Sequence, residues 1–144
     1  MSLTLHAARE RDLDGFVIDP RQASLFQGNA FDTLHRLVAG GSAIVAIFNG
    51  QRIGFGGFAE YWPGRAAAWC FLRADIPMAA WVPLTRAVRD CLAAAGQRRI
   101  EADIRSGFIA GGRWAALLGF EPEGCMRAYW TDGADYLRFA RVAA

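Results

Sequence analysis

The sequence contains no lysine at all: each of its sixteen basic residues is an arginine, and they are interleaved with fourteen acids to leave a net charge of +2. Arg98-Arg99 is the only adjacent basic pair, so the chain lacks the basic stripe that nucleic-acid binding by counterion release requires. Cysteine is sparse and odd in number. Cys70, Cys91 and Cys125 are far apart, which fits neither a disulfide framework nor a zinc site, and they read as small buried apolar residues. His6 and His35 are isolated, and no metal requirement follows from them. The longest apolar run, Ala43 to Phe48, falls far short of a membrane span, and no signal-peptide pattern opens the chain. A cytoplasmic setting with neither nucleic acid nor membrane as partner is therefore expected.

What is present is a well-mixed apolar chain, 53% hydrophobic and 21% charged over 144 residues, with no repeat and no Pro/Gly/Ser linker. One domain spanning 1–144, with a real core, is expected. Leu3 to Ala7 alternates as a first strand. Asp12 to Val38 holds helical pieces broken near Asp19-Pro20 and Gly28-Asn29, with Asp32 as a cap and Leu34, Leu37 and Val38 as an inner face. Ser42 to Phe48, Arg52 to Tyr61 and Ala66 to Ala74 read as a three-stranded meander turned at Asn49-Gly50 and Pro63-Gly64. Gly54, Gly56 and Gly57 inside the second strand call for a bulge or for close approach of another backbone.

A helix follows, with Trp81, Leu84, Val88, Leu92 and Ala95 as its apolar stripe, Pro83 in its first turn, Gly96 at its end and Arg86 paired to Asp90 on the outer face. Arg99 to Arg105 alternates as a strand, which makes a βαβ unit with parallel strands. Trp114, Leu117 and Leu118 then form a short helical stripe stopped by Gly119. Glu123 to Trp130 and Asp135 to Val142 flank an Asp132-Gly133 hairpin turn. The sum is an α/β fold: a mixed sheet of six to seven strands flanked by helices.

This element order, ending in Trp114-Ala-Ala-Leu-Leu-Gly-Phe-Glu-Pro-Glu-Gly124, resembles the GNAT superfamily of acetyl-CoA-dependent N-acetyltransferases over most of the chain. The likeness is greatest to small phage and prophage-encoded members with an Asp-Gly-x-Asp-Tyr ending, here Asp132-Gly133-Ala134-Asp135-Tyr136. The resemblance implies acetyl-CoA as cosubstrate, a primary amine as acceptor, direct attack in a ternary complex, no metal and a dimer. It places the pantetheine arm along the backbone of Phe71, Leu72 and Arg73, with the Leu72 N–H facing the thioester oxygen as it gains charge.

The pyrophosphate would rest on amides at the head of the helix after that strand, from Ala79, Ala80, Trp81 and Val82, with Thr85 and Arg86 as side-chain ligands. The loop lacks the family's usual Arg/Gln-x-x-Gly-x-Gly/Ala, since it reads Asp75-Ile-Pro-Met-Ala-Ala-Trp81. Gly111 and Gly112 either lie in an irregular first turn of the last helix or admit the cofactor closely. Glu60 is the expected base for the acceptor, with Glu101 and Asp103 as alternatives. The family's acid, a tyrosine on the last helix, is replaced by Trp114 and Ala115, leaving Tyr129 or Tyr136 for that role. Phe55, Phe58, Tyr61, Trp62, Trp69 and Trp130 are candidates for an acceptor wall, most of them core. A non-catalytic GNAT-fold phage structural or host-interaction protein is the alternative.

Overall fold

Asn49 and Gly50 both take left-handed backbone (φ 49° and 80°), the pair of conformations that lets a two-residue loop follow the right-handed twist of its strands. On either side of that loop, β2 (Ile44–Phe48) and β3 (Gln51–Trp62) pair antiparallel. The computed structural model describes residues 2–26 and 28–144. β1 (Leu3–Ala7) joins the free edge of β2, and β4 (Arg65–Leu72), β5 (Arg99–Arg105), β6 (Glu121–Met126) and β7 (Tyr136–Val142) complete a seven-stranded mixed sheet ordered β1-β2-β3-β4-β5-β7-β6. β4 and β5 are its parallel pair, and they register over only three positions, Arg65–Ala67 with Arg99–Glu101. The helices are α1 (Pro20–Ala23), α2 (Ala30–Ala39), α3 (Trp81–Ala94) and α4 (Ile109–Leu117).

The backbone groups into two compact units, residues 1–58 with 69–84, and residues 59–68 with 85–144. The first has a core of Leu13, Phe16, Ile18, Leu34, Val38, Val45, Phe55 and Phe71, with Phe16 edge-on to Phe55 at a centroid distance of 4.8 Å. The close approach that the glycines of β3 call for is realised here. A Cβ on Gly54 would lie 2.6 Å from Leu72 Cδ2 and 3.1 Å from the Phe71 carbonyl oxygen. Asp19 starts α1 by accepting from the Arg21 N–H at 2.9 Å, so the Asp19-Pro20 break is a helix start. Asn29, not Asp32, occupies the cap of α2, and Asp32 falls within its first turn.

In the second unit β5 pairs with β7 along its whole length, and β7 with β6. Helix α4 ends as its sequence predicts. Gly119 takes φ 93°, its N–H donates to the Ala116 carbonyl at 3.0 Å, and Phe120 N–H donates to that of Ala115 at 3.0 Å. This double bond pattern satisfies the orphan carbonyls of the last turn and returns Phe120 to the interior, 5% exposed. The strand expected over Glu123–Trp130 is instead Glu121–Met126. Ala128 adopts a left-handed conformation (φ 49°), held by its N–H donating to Asp135 Oδ1 at 2.8 Å, and that turns the chain early. Asp132-Gly133 is still a turn, with the Ala134 N–H donating to Asp132 Oδ1 at 2.9 Å, inside a longer connection. Cys70 and Cys91 are half-buried, while Cys125 is exposed, contrary to the expectation for all three.

Candidate functional site

Alternate residues of a strand turn their N–H and C=O groups to opposite neighbours, so the edge that β4 shows away from β3 is fixed by register. Arg73 N–H donates to the Ile53 carbonyl of β3 at 2.9 Å, which turns the backbone groups of Cys70 and Leu72 the other way. The segment Asp19–Gln22 covers that second edge. Asp19 N–H donates to the Leu72 carbonyl at 2.8 Å. The Gln22 carboxamide bonds twice: Nε2 donates to the Cys70 carbonyl at 3.1 Å, and Oε1 accepts from the Leu72 N–H at 2.7 Å. The Leu72 N–H therefore already faces an amide oxygen in the position where a thioester oxygen is expected. Phe71 is buried, Leu72 half-buried, and Arg73 donates to Gln51 Oε1 at 2.9 Å. Burial pushes the neighbouring Cys70 thiol up to about 11, so it is protonated near neutral pH.

The head of α3 is a 3₁₀ turn, Met78–Ala80, running straight into Trp81. Two of the four amides expected to meet phosphate are used inside it, Ala80 N–H donating to Pro77 O at 2.9 Å and Trp81 N–H to Met78 O. Ala79 and Val82 are exposed. Because α3 starts at Trp81, Thr85 and Arg86 lie in its second turn. Thr85 Oγ1 accepts from the Trp114 indole N–H at 3.0 Å. Arg86 is exposed and makes no ion pair with Asp90 among the described residues, so the outer-face pair that the spacing predicts is not formed.

The candidate acids and bases lie in the second unit, and most are bound up in one array on the sheet. Glu101, 2% exposed, receives a two-pronged guanidinium from Arg65 (Nε to Oε2 2.7 Å, Nη2 to Oε1 2.8 Å), a bond from Arg99 Nε at 2.6 Å and an ion pair from Arg138 Nη1 at 3.1 Å. The Arg65 fork, followed by Arg99 and Arg138, brings its carboxyl down to about 2 against the opposing pull of burial. A carboxylate so held cannot take a proton from an ammonium group near neutral pH, which removes Glu101 as the base. Arg65 also stacks over the exposed rings of Tyr61 and Trp62, 4.4 and 4.6 Å from their centroids.

Asp103 is likewise engaged, accepting from Arg138 Nε at 3.0 Å and from the Tyr129 hydroxyl at 2.8 Å. Burial, and after it the bond to Asp103, raises the Tyr129 phenol, and burial also raises that of Tyr136, whose ring stacks with Trp130. Glu60 is exposed on β3, and its Oε2 accepts from Gln97 Nε2 at 2.7 Å. Gly111 and Gly112 are regular members of α4. The irregular turn is absent, and a Cβ at Gly111 would lie 2.9 Å from the Phe108 ring, which takes up the close approach that the glycine allows. Of the candidate wall, Phe55 is core, whereas Tyr61 and Trp62 are more than half exposed.

Gln22 and the three arginines around Glu101 are the polar residues that sequence reasoning missed. Gln22 carries no motif, and its role arises from an edge that register alone exposes. The alternation of Arg99, Glu101 and Asp103 with the apolar residues of β5 did place charges on one face, which was a usable signal for the array.

No group of three or more His, Cys, Asp or Glu residues able to hold a metal occurs among the described residues, and no helix there is long and apolar enough to cross a membrane. No protein-family model matches the sequence, and no curated protein does. Solved structures do match. Ard1 from Thermoplasma volcanium aligns with a TM-score of 0.79 at 17% identity, over 100% of this chain and 99% of its own. A GNAT-family acetyltransferase from Bacillus anthracis aligns at 0.76 and 12% identity, over 99% and 95%. YncA from Salmonella typhimurium, solved with its cofactor acetyl-CoA, aligns at 0.71 and 14% identity, over 99% and 94%. At these identities the likeness is one of architecture, and it extends from one end of the chain to the other: the protein has the GNAT acetyltransferase fold.

Proposed function

We propose that the chain is an N-acetyltransferase that moves an acetyl group from acetyl-CoA to a primary amine by direct attack in a ternary complex. The observation that carries this reading is the end-to-end likeness to acetyltransferases, one of them holding acetyl-CoA. A second observation supports it. The Leu72 N–H and the Cys70 carbonyl on the β4 edge, both bonded to the Gln22 carboxamide, alternate as a donor and an acceptor that an extended, amide-bearing arm would match once Gln22 turned away.

In this reading the arm lies along the Phe71–Arg73 segment and pairs through Leu72, because the Arg73 N–H is held by the Ile53 carbonyl of β3, and the Leu72 N–H stabilises negative charge developing on the thioester oxygen. The exposed turn at Ala79, with Ala80, Trp81 and Val82, presents the positive end of a fourteen-residue helix to the pyrophosphate. Arg86, exposed on the same helix, supplies charge, and Thr85 a hydroxyl. Gly111 keeps the start of α4 narrow. Glu60 is the base for the acceptor ammonium, and a pH–rate profile left unchanged by Glu60→Gln would remove it. Tyr129 is the acid for the departing thiolate, through the hydroxyl it now donates to Asp103.

Calorimetric titration with acetyl-CoA tests the reading. Saturable one-site binding is expected, followed by free-thiol release when a panel of polyamines and peptides with free amines is added. The Gln22 bonds across the β4 edge and the lack of a tyrosine in α4 favour a second reading, a non-catalytic GNAT-fold interaction protein of the phage type. Absence of heat with acetyl-CoA would sink the first reading and leave the second.

A further inference from the structure

Three consecutive bonding groups on one edge of β4, the Cys70 carbonyl and the Leu72 N–H and carbonyl, are all taken by Asp19–Gln22, but by two different means. Asp19 uses its main chain, and its side chain is buried and locked by Arg21, with Nη2 to Oδ2 at 2.8 Å. That contact cannot leave without dismantling the start of α1. Gln22 uses only its side chain. Its carboxamide turns a C=O to the Leu72 N–H and an N–H to the Cys70 carbonyl, the same two groups that a neighbouring peptide or an amide in an extended ligand would present. Rotation about its side-chain bonds frees both strand groups and leaves the helix backbone where it is.

We infer that Gln22 is an internal competitor for the acyl-carrier arm: its carboxamide occupies the Leu72 N–H and Cys70 carbonyl until a ligand carrying its own carbonyl and amide displaces it. The inference rests on the acetyl-CoA reading above. It makes Gln22 a specificity-determining residue. A ligand that can bond to both strand groups replaces what it removes, so the exchange is nearly even. A ligand that offers an apolar chain at this point leaves a donor and an acceptor unsatisfied and is rejected. The latch also keeps the strand edge satisfied between ligands, where two bare main-chain groups would otherwise invite pairing with another chain.

The test is calorimetry with acetyl-CoA on the wild-type chain, Gln22→Ala and Gln22→Asn, the last too short to span both strand groups yet close to the original in polarity. Two modest hydrogen bonds no longer to be displaced should tighten acetyl-CoA by about tenfold in both variants. Adenosine 3′,5′-bisphosphate, which lacks the arm, should bind all three proteins equally. Amide exchange followed by NMR should show the Leu72 N–H protected in the wild type, exposed in the variants, and protected again when acetyl-CoA is added. Equal or weaker acetyl-CoA binding by both variants overturns the inference, as does equal tightening for the bisphosphate. Failure of all three proteins to bind acetyl-CoA overturns the acetyl-CoA reading itself and this inference with it, a result unlike the first two.

Discussion

The array around Glu101 and the edge of β4 at Cys70 and Leu72 both satisfy strand groups with side chains, and they do so with opposite degrees of commitment. Glu101 is held by three guanidinium groups at 2.6 to 3.1 Å, and removing any one leaves charge behind in a poorly solvated place. On the β4 edge the Cys70 carbonyl and the Leu72 N–H are held by a neutral carboxamide that can be exchanged for another amide at little cost. The residues that look most like chemistry in the sequence, paired carboxylates on an alternating strand, are thus fixed in place, and the part that the proposed reading gives to the ligand is plain backbone. A carboxylate in a fold of this kind is a candidate base only if its partners can release it, and Glu101 fails that condition.

The largest expected effect attacks the committed side. Glu101→Gln keeps the volume but leaves Arg65, Arg99 and Arg138 without their central anion, and it should lower unfolding stability by about 3 to 5 kcal/mol in urea titration. A change under ~1 kcal/mol would mean that water already serves these arginines. Acid should do the same by titration. The carboxyl sits near 2 in the folded protein against an ordinary 4.5, so its contribution is complete above about pH 4.5 and drains away as the pH falls towards 2. On the order of 3 kcal/mol should be lost across that window, and Glu101→Gln should flatten it. A melt series showing the same acid slope in both proteins would assign the loss elsewhere.

The β4 side responds to volume rather than charge. Gly54→Ala pushes a methyl group to 2.6 Å from Leu72 Cδ2, which can move, and 3.1 Å from the Phe71 carbonyl oxygen, which cannot move freely. A loss of about 1 to 3 kcal/mol is expected, with disturbed Leu72 amide exchange. Unchanged stability and exchange would show that β4 yields there. The smallest effect belongs to Arg86→Ala. Since no ion pair is broken, stability should hold, while acetyl-CoA affinity falls roughly tenfold. Equal loss for a bare pantetheine fragment, which has no pyrophosphate, would contradict its role.

The sheet was largely readable because its signals are local. Asn49-Gly50 demands a hairpin, Gly119 a helix stop, and the alternation of Arg99–Arg105 matches β5 residue for residue. The misreadings share a different cause. Ala128 turns left-handed without being Gly, Asn or Asp, because Asp135 bonds its N–H from seven residues away. Arg86 forms no ion pair with Asp90 among the described residues although the spacing is right, since a solvated i, i+4 pair adds only ~0.3 kcal/mol and sets nothing. The amides of Ala80 and Trp81 are consumed by a tight 3₁₀ turn that Pro77-Met78-Ala79 does not announce. Gln22 was invisible for the same reason: its partners are 48 and 50 residues away and belong to the backbone, which has no letter in the sequence.

The forked hold on Glu101 also bears on what the protein can do to itself. A lysine ammonium cannot offer two parallel bonds to one carboxylate, so the array needs guanidinium, and arginine takes every position in this chain where lysine could have stood as the cation. Stabilising charge is thereby supplied throughout without a single nucleophilic side-chain amine. An enzyme of the proposed kind would find no lysine among these 144 residues to modify.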